Sequence, residues 1–65
     1  MRLTARQREV VALVRQGFTY AEIGARLGIS PETVRVHVAD VAAKCGVHRQ
    51  PLRWLIANAD KLSAA

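Results

Sequence analysis

The side chains that could ligate a metal or attack a substrate are few in this sequence of 65 residues. Its soft metal ligands are Cys45, His37 and His48, whereas a zinc site needs three or four ligands that converge on one point. Cys45 is predicted to face the core and His37 to point away from it, so we expect no metal site. Ser30, His37 and Asp40 have the residue types of a hydrolase triad. They are not expected to form one, because Ser30 is predicted to cap a helix and no nucleophile elbow surrounds it. We therefore expect neither a cofactor nor enzymatic activity.

Positive charge is the chemical property that the sequence does supply. Ten Lys and Arg residues oppose five Asp and Glu residues, which gives a formal net charge of +5. Such an excess is typical of proteins that contact the phosphates of nucleic acids. Solvated surface charge is the other interpretation, and the charge alone leaves both open.

The length and the cysteine content indicate the setting in which this charge acts. We expect one domain over residues 1–65 with a small core, so a homodimer would add buried surface. One cysteine excludes an internal disulfide, and the sequence shows no N-terminal signal segment and no apolar run of about 20 residues. We expect a cytoplasmic location and no membrane contact.

The stretch of residues 19–45 predicts two helices joined by a short turn. Thr19 and Glu22 have the spacing of a capping box at the start of the first helix, and Gly28 supplies the left-handed residue that ends it. Ser30 and the proline after it begin the second helix. Because the turn is too short for a relaxed antiparallel hairpin, one face of the second helix should remain able to enter a DNA groove. The pattern favours a helix-turn-helix.

Two further helices are expected on either side of this motif. Thr4 and Gln7 have capping-box spacing, and the first helix should run from there to Gly17. A fourth helix is expected from about Pro51 to Leu62, although no Ser, Thr, Asn or Asp stands directly before Pro51 to cap it. The predicted fold is all-α, with four helices and the third as the recognition helix.

The third helix is predicted to have a buried stripe and an exposed one. The buried stripe recurs at steps of three and four and consists of Val34, Val38, Val41, Ala42 and Cys45. The opposite stripe has mostly small side chains around Val36, which suits deep insertion into the major groove. Val36 could meet a thymine methyl group, and Arg35 could reach a guanine edge or a phosphate. An ordinary solvated helix face is the alternative.

The fourth helix carries the only tryptophan, Trp54. Helical spacing predicts a buried stripe of Leu52, Leu55, Ile56 and Ala59. Trp54, Ala57 and Lys61 then fall on the far side, where an exposed indole indicates a partner or dimer interface. The alternative is a helix rotated so that Trp54 covers the core.

Short motifs occur in a fixed order along nearly the whole chain. They are Leu3-Thr4, Glu9-Val10, Glu22-Ile23, Leu27 to Ser30, Thr33-Val34, Val36 to Val38 and Lys44 to Val47. In this order and spacing they resemble the four-helix DNA-binding domain of LuxR/FixJ-type transcription regulators, including the spore-regulator type. The resemblance implies that the third helix lies in the major groove of double-stranded DNA and that the fourth commonly joins two protomers. The candidate DNA-binding residues are Thr33, Arg35, Val36, His37, Ala39 and Lys44.

Departures from the family pattern leave a second class of function open. Gln7 stands where the family favours Glu, and Ala39 lies where regulators often place a longer polar side chain. The fourth region of bacterial sigma factors has similar phrases, but the Val-His-Val run favours the regulators. The alternative is thus a helical module that acts through RNA polymerase or another regulator. Most family members also carry a sensory domain, so this sequence is expected to be either a stand-alone domain or a fragment of a longer regulator.

Overall fold

Four helices and their connecting loops make up the computed structural model, which describes the backbone of residues 2–63 and the side chains of residues 2–62. In chain order the helices are α1 (Ala5–Arg15), α2 (Tyr20–Leu27), α3 (Pro31–Lys44) and α4 (Pro51–Ser63). No strand occurs within residues 2–63. The prediction of an all-α, four-helix fold with a helix-turn-helix is confirmed.

Side-chain caps determine where the first three helices begin. The Thr4 hydroxyl accepts from the Gln7 N–H at 3.1 Å, and the Gln7 side-chain oxygen accepts from the Thr4 N–H at 3.1 Å. Thr19 and Glu22 form the same reciprocal pair at the start of α2, with distances of 3.2 and 2.9 Å. Ser30 caps α3 through its hydroxyl. These bonds satisfy N–H groups that a helix start otherwise leaves without an acceptor, and both predicted capping boxes are present.

A tight turn between α2 and α3 depends on two glycines. Gly28 ends α2 in the left-handed conformation at φ 71°, which glycine adopts without a steric penalty. Gly24 is buried inside α2, and a Cβ atom placed on it would lie 2.5 Å from the Ile29 carbonyl oxygen and 3.3 Å from the Pro31 nitrogen. The missing side chain at Gly24 therefore lets the start of α3 lie directly against α2.

All four helices contribute to one core of aliphatic side chains. Its members, which are 3% exposed or less, are Val10, Val11, Val14, Ile23, Val34, Val38, Val41, Leu55 and Ala59. The neighbouring residues Val10 and Val11 are both buried, because α1 is covered by α4 as well as by α3. Cys45 is half-buried and not fully buried as expected, since it follows the last residue of α3 as the C-cap, at the edge of this core.

The orientation of α4 differs from the predicted one. Trp54 is half-buried and packs against the core, whereas Ile56 is 62% exposed. The prediction of a largely exposed Trp54 and a buried Ile56 is therefore wrong. The physical reason is that α4 packs against both α1 and α3, so its covered arc is wide and extends round to the Trp54 side. Asn58 also lies on that side, where its amide donates to the Trp54 carbonyl at 2.8 Å.

Candidate nucleic-acid interface

One face of α3 is solvent-exposed along its length and carries short side chains. Val36 at its centre is 56% exposed, while Val34 and Val38 on the opposite side are fully buried. Glu32 and Ala43 lie on the same exposed face as Val36. The burial pattern agrees with the predicted division of α3 into two stripes. A helix with side chains is about as wide as the major groove, near 12 Å, so a helix face with short side chains can enter one.

The other predicted DNA-binding residues lie at the edges of this face. Thr33 is exposed, and its hydroxyl lies 2.9 Å from the Ser30 hydroxyl, as part of the α3 cap. His37 and Ala39 are half-buried on opposite flanks of the helix. Arg35 is exposed on the same flank as Ala39. The structure therefore brings these residues to one helix, but it leaves Val36 as the most prominent apolar group.

Lys44 is engaged within the fold. Its ammonium group donates to the Arg2 carbonyl at 2.8 Å and to the Gln7 side-chain oxygen at 2.7 Å. Gln7 is only 6% exposed, and the same oxygen accepts the Thr4 N–H of the α1 capping box. Lys44 thus ties the last turn of α3 to the start of α1. This contact assigns it a role in holding α3 in place, which sequence reasoning missed because the partners lie 42 and 37 residues away.

The opposite flank of α3 faces α2 and the start of α4. Tyr20, Arg35, Gln50, Pro51, Leu52 and Arg53 line a shallow concavity there. Burial raises the pKa of the Tyr20 phenol, and the positive charge of Arg35 acts in the opposite direction. Sequence reasoning did not connect Tyr20 or Arg53 with Arg35, because the three come from three different helices.

Acidic side chains leave most of the positive charge uncompensated. Asp60 pairs with Arg15, with 2.5 Å between the carboxylate oxygen and the guanidinium Nε, and Glu9 lies 3.7 Å from Arg6. Glu22 is used in the α2 capping box, where the Thr19 N–H lowers the pKa of its carboxyl. The remaining basic residues outnumber the remaining acids, which favours an interaction with a polyanion.

The exposed face of α4 contains Ile56, Ala57 and Lys61. Ile56 borders an apolar groove of about 730 Å³ that also includes Phe18 and Leu52. Phe18 lies beneath the Arg26 guanidinium, with 4.0 Å from the guanidinium carbon to the ring centre. Sequence reasoning missed Ile56 as a surface residue, because packing of α4 against both α1 and α3 decides which of its faces is buried.

Within residues 2–63, no three His, Cys, Asp or Glu side chains gather closely enough to hold a metal ion. None of the four helices there has the length and apolar character needed to cross a membrane.

A short α2–α3 turn and an exposed α3 face define a helix-turn-helix domain, the class of fold with which many transcription regulators bind DNA. The family model described as "Bacterial regulatory proteins, luxR family" matches residues 1–57. The chain belongs to this family. The resemblance inferred from the short motifs is confirmed.

Individual relatives are also regulators of transcription. The chain is 49% identical over 45 residues to the transcriptional regulatory protein UhpA of Escherichia coli (strain K12), covering 69% of this chain and 23% of UhpA. It is 42% identical over 50 residues to the probable transcriptional regulatory protein SgaR of Hyphomicrobium methylovorum, covering 77% and 24%. It is 44% identical over 52 residues to the transcriptional activator protein EsaR of Pantoea stewartii subsp. stewartii, covering 77% and 21%.

The chain spans between 21% and 24% of the length of these three relatives. No solved structure gives a significant match.

Proposed function

We propose that this domain binds double-stranded DNA in a sequence-dependent manner and regulates transcription, with α3 in the major groove. The observation that carries the proposal is the exposed, small-residue face of α3 centred on Val36. Family membership and the excess of positive charge support the same role. The role is one of binding and not of catalysis, and it places the domain with the chromosome in the cytoplasm.

Within this proposal, Val36 is the residue that reads a base. Its side chain offers only methyl groups, so its natural partner in the major groove is the C5-methyl group of thymine. Burying one such group contributes about 0.8 kcal/mol, which corresponds to a roughly fourfold change in affinity. His37, Ala39 and Thr33 lie at the edges of the same face and would fix the depth of insertion.

Fluorescence anisotropy with a duplex selected from a random library tests the proposal. The affinity should fall steeply with rising salt, and the selected duplex should bind more tightly than a scrambled one. Replacing the contacted thymine by deoxyuridine should weaken the parent as much as Val36→Ala does, with no further loss when both changes are combined. Ala12→Val, on the exposed side of α1, is a matched control that should leave both affinities unchanged. Absence of binding at low salt would contradict the proposal.

We further propose that two protomers associate through α4, on the surface formed by Ile56, Ala57 and Lys61. An exposed isoleucine next to an apolar groove supports this choice, because burying that side chain would stabilise a dimer. Trp54, expected from the sequence to belong to this surface, already packs on its own core.

Sedimentation equilibrium with and without operator DNA tests the dimer. Ile56→Glu should stay folded, become monomeric and lose affinity for two half-sites more than for one. Ala12→Glu introduces the same charge at an exposed position of α1 and should change neither property. A parent protein that remains monomeric on a two-half-site duplex would refute association through α4.

A further inference from the structure

A shallow concavity of about 520 Å³ lies where the first turn of α4 and the first residue of α2 meet one flank of α3. Two of the residues that line it are arginines, Arg35 from α3 and Arg53 from α4. Among the side chains of residues 2–62, no Asp or Glu lines it. Two guanidinium groups that share a surface without a carboxylate repel each other, and an anion between them would remove that repulsion.

Neither arginine is used elsewhere in the part of the chain described. Arg35 and Arg53 take part in none of the ion pairs there, which join Arg6 to Glu9 and Arg15 to Asp60. Both side chains are exposed, so all their donors are available to a ligand. This distinguishes them from Lys44 on the other flank of α3, whose ammonium group already donates to two acceptors.

Neutral donors in the same place would add to the two charges. Tyr20 lines the concavity, and its phenol hydroxyl, which carries its proton at neutral pH, can donate a hydrogen bond. The N–H groups of Leu52 and Arg53 lie in the first turn of α4, and no hydrogen bond from either to a backbone carbonyl occurs within residues 2–63. These groups are suited to an oxyanion with several oxygens, which is the chemistry of a phosphate.

The position of the concavity on the fold indicates which molecule would supply that phosphate. Successive residues of a helix are turned by about 100°, so Arg35 lies on the flank beside Val36 and not on the face that would meet the bases. A helix about as wide as the major groove has its flanks against the sugar-phosphate walls. We propose that Arg35, Arg53 and Tyr20 form a clamp for one phosphodiester group of the DNA backbone, so that Arg35 positions α3 and does not read a base.

This inference rests on the proposed function, because it names the group that one flank of the same binding surface takes. It also separates two tasks on neighbouring residues of one helix. Arg35 would contribute affinity that is equal for all sequences, while Val36 would contribute the preference for one of them. Arg53, which lies outside the helix-turn-helix, becomes part of the binding surface.

The experiment is a methylphosphonate scan, in which each phosphate of the selected duplex is replaced in turn by a neutral analogue. Affinity is measured by anisotropy for the parent, Arg35→Ala, Arg53→Ala and the double variant. At one position the neutral analogue should weaken the parent roughly tenfold, as expected for a charge-assisted contact, and should not weaken the double variant. Tyr20→Phe should bind the unmodified duplex more weakly than the parent does. The neutral analogue at that one phosphate should then cost it less affinity than it costs the parent.

Base preference and salt dependence provide the second readout. Arg35→Ala should weaken selected and scrambled duplexes by the same factor and lower the salt slope by about one. Arg8→Ala removes an exposed arginine of α1 and serves as the control. Neutralising the phosphate at the clamp should weaken its DNA binding by the same factor as it weakens that of the parent. Circular dichroism at each step shows that the variants are folded.

Two results would overturn the clamp. One is a relaxed preference at a single base pair in Arg35→Ala, which would make Arg35 a base reader. The other is a scan in which no phosphate responds differently in the parent and the double variant. A parent that binds no duplex at low salt would instead refute the proposed function, so the two failures are distinguishable.

Discussion

Replacing Gly24 by alanine tests how closely α2 and α3 must approach. The added Cβ would lie 2.5 Å from the Ile29 carbonyl oxygen, whereas real Cβ atoms essentially never come closer than 3.0 Å. The turn must therefore open by at least about 0.5 Å, and the colliding atoms belong to the backbone and cannot rotate away. Overpacking of this kind costs about 1 to 3 kcal/mol, and because this clash is with backbone atoms we expect about 3 kcal/mol. Alanine recovers about 1 kcal/mol through its higher helix propensity, so we expect a net loss near 2 kcal/mol.

Urea denaturation followed by circular dichroism measures this loss. In a domain of this size a loss of 2 kcal/mol corresponds to a fall of roughly 10 °C in the melting temperature. Ala25→Gly, the reverse exchange at the neighbouring exposed position, isolates the propensity contribution and should cost about 1 kcal/mol. A Gly24→Ala variant that is as stable as the parent would refute the reasoning, because it would mean that the α2–α3 turn has room for a methyl group.

Three further changes probe the caps and the α4 packing. Lys44→Met should cost about 1 kcal/mol of stability by removing the hydrogen bond to Gln7. The dependence of DNA affinity on salt concentration should stay as in the parent. A slope of log affinity against log salt that falls by about one would make Lys44 a phosphate contact instead. The pKa of Glu22 is lowered by the Thr19 N–H, so its contribution to stability is complete above the ordinary pKa of a glutamate and is lost as pH falls through the lowered value. Glu22→Gln should reduce that acid sensitivity in urea melts, and an unchanged pH profile would exclude the capping carboxylate as its source. Trp54→Ala should destabilise the fold by about 2 kcal/mol, roughly half the cost of a fully buried indole; a variant of parental stability would show that Trp54 is not part of the core.

Local patterns predicted most of the fold because the interactions that form it are local. The capping boxes at Thr4 and Thr19 each join residues three positions apart, and Gly28 ends α2 through its own backbone conformation. The faces of α3 follow from helical periodicity alone, so its exposed stripe was predictable. These features can be read from a few neighbouring letters of the sequence.

The features that could not be predicted depend on contacts between distant segments. The rotation of α4 about its axis is determined by packing against two other helices, which leaves Trp54 half-buried and Ile56 exposed. Lys44 donates to acceptors at the start of α1, which lie 42 and 37 residues away in sequence. The concavity beside Arg35 needs residues from three helices. Each depends on tertiary packing that has no fixed spacing in sequence.

The hydrogen bonds and ion pairs between distant segments also affect the order in which the helices pack. The Arg15 to Asp60 pair closes a separation of 45 residues, and Lys44 to Arg2 closes 42, so α1 is held by partners synthesised long after it. The α2–α3 unit needs only short loops, and short loops close at a smaller entropic cost. Of the four helices, α1 would leave the ribosome first but gain its α4 neighbour last. Until then part of its row of valines stays in water, where chaperones and proteases can bind it.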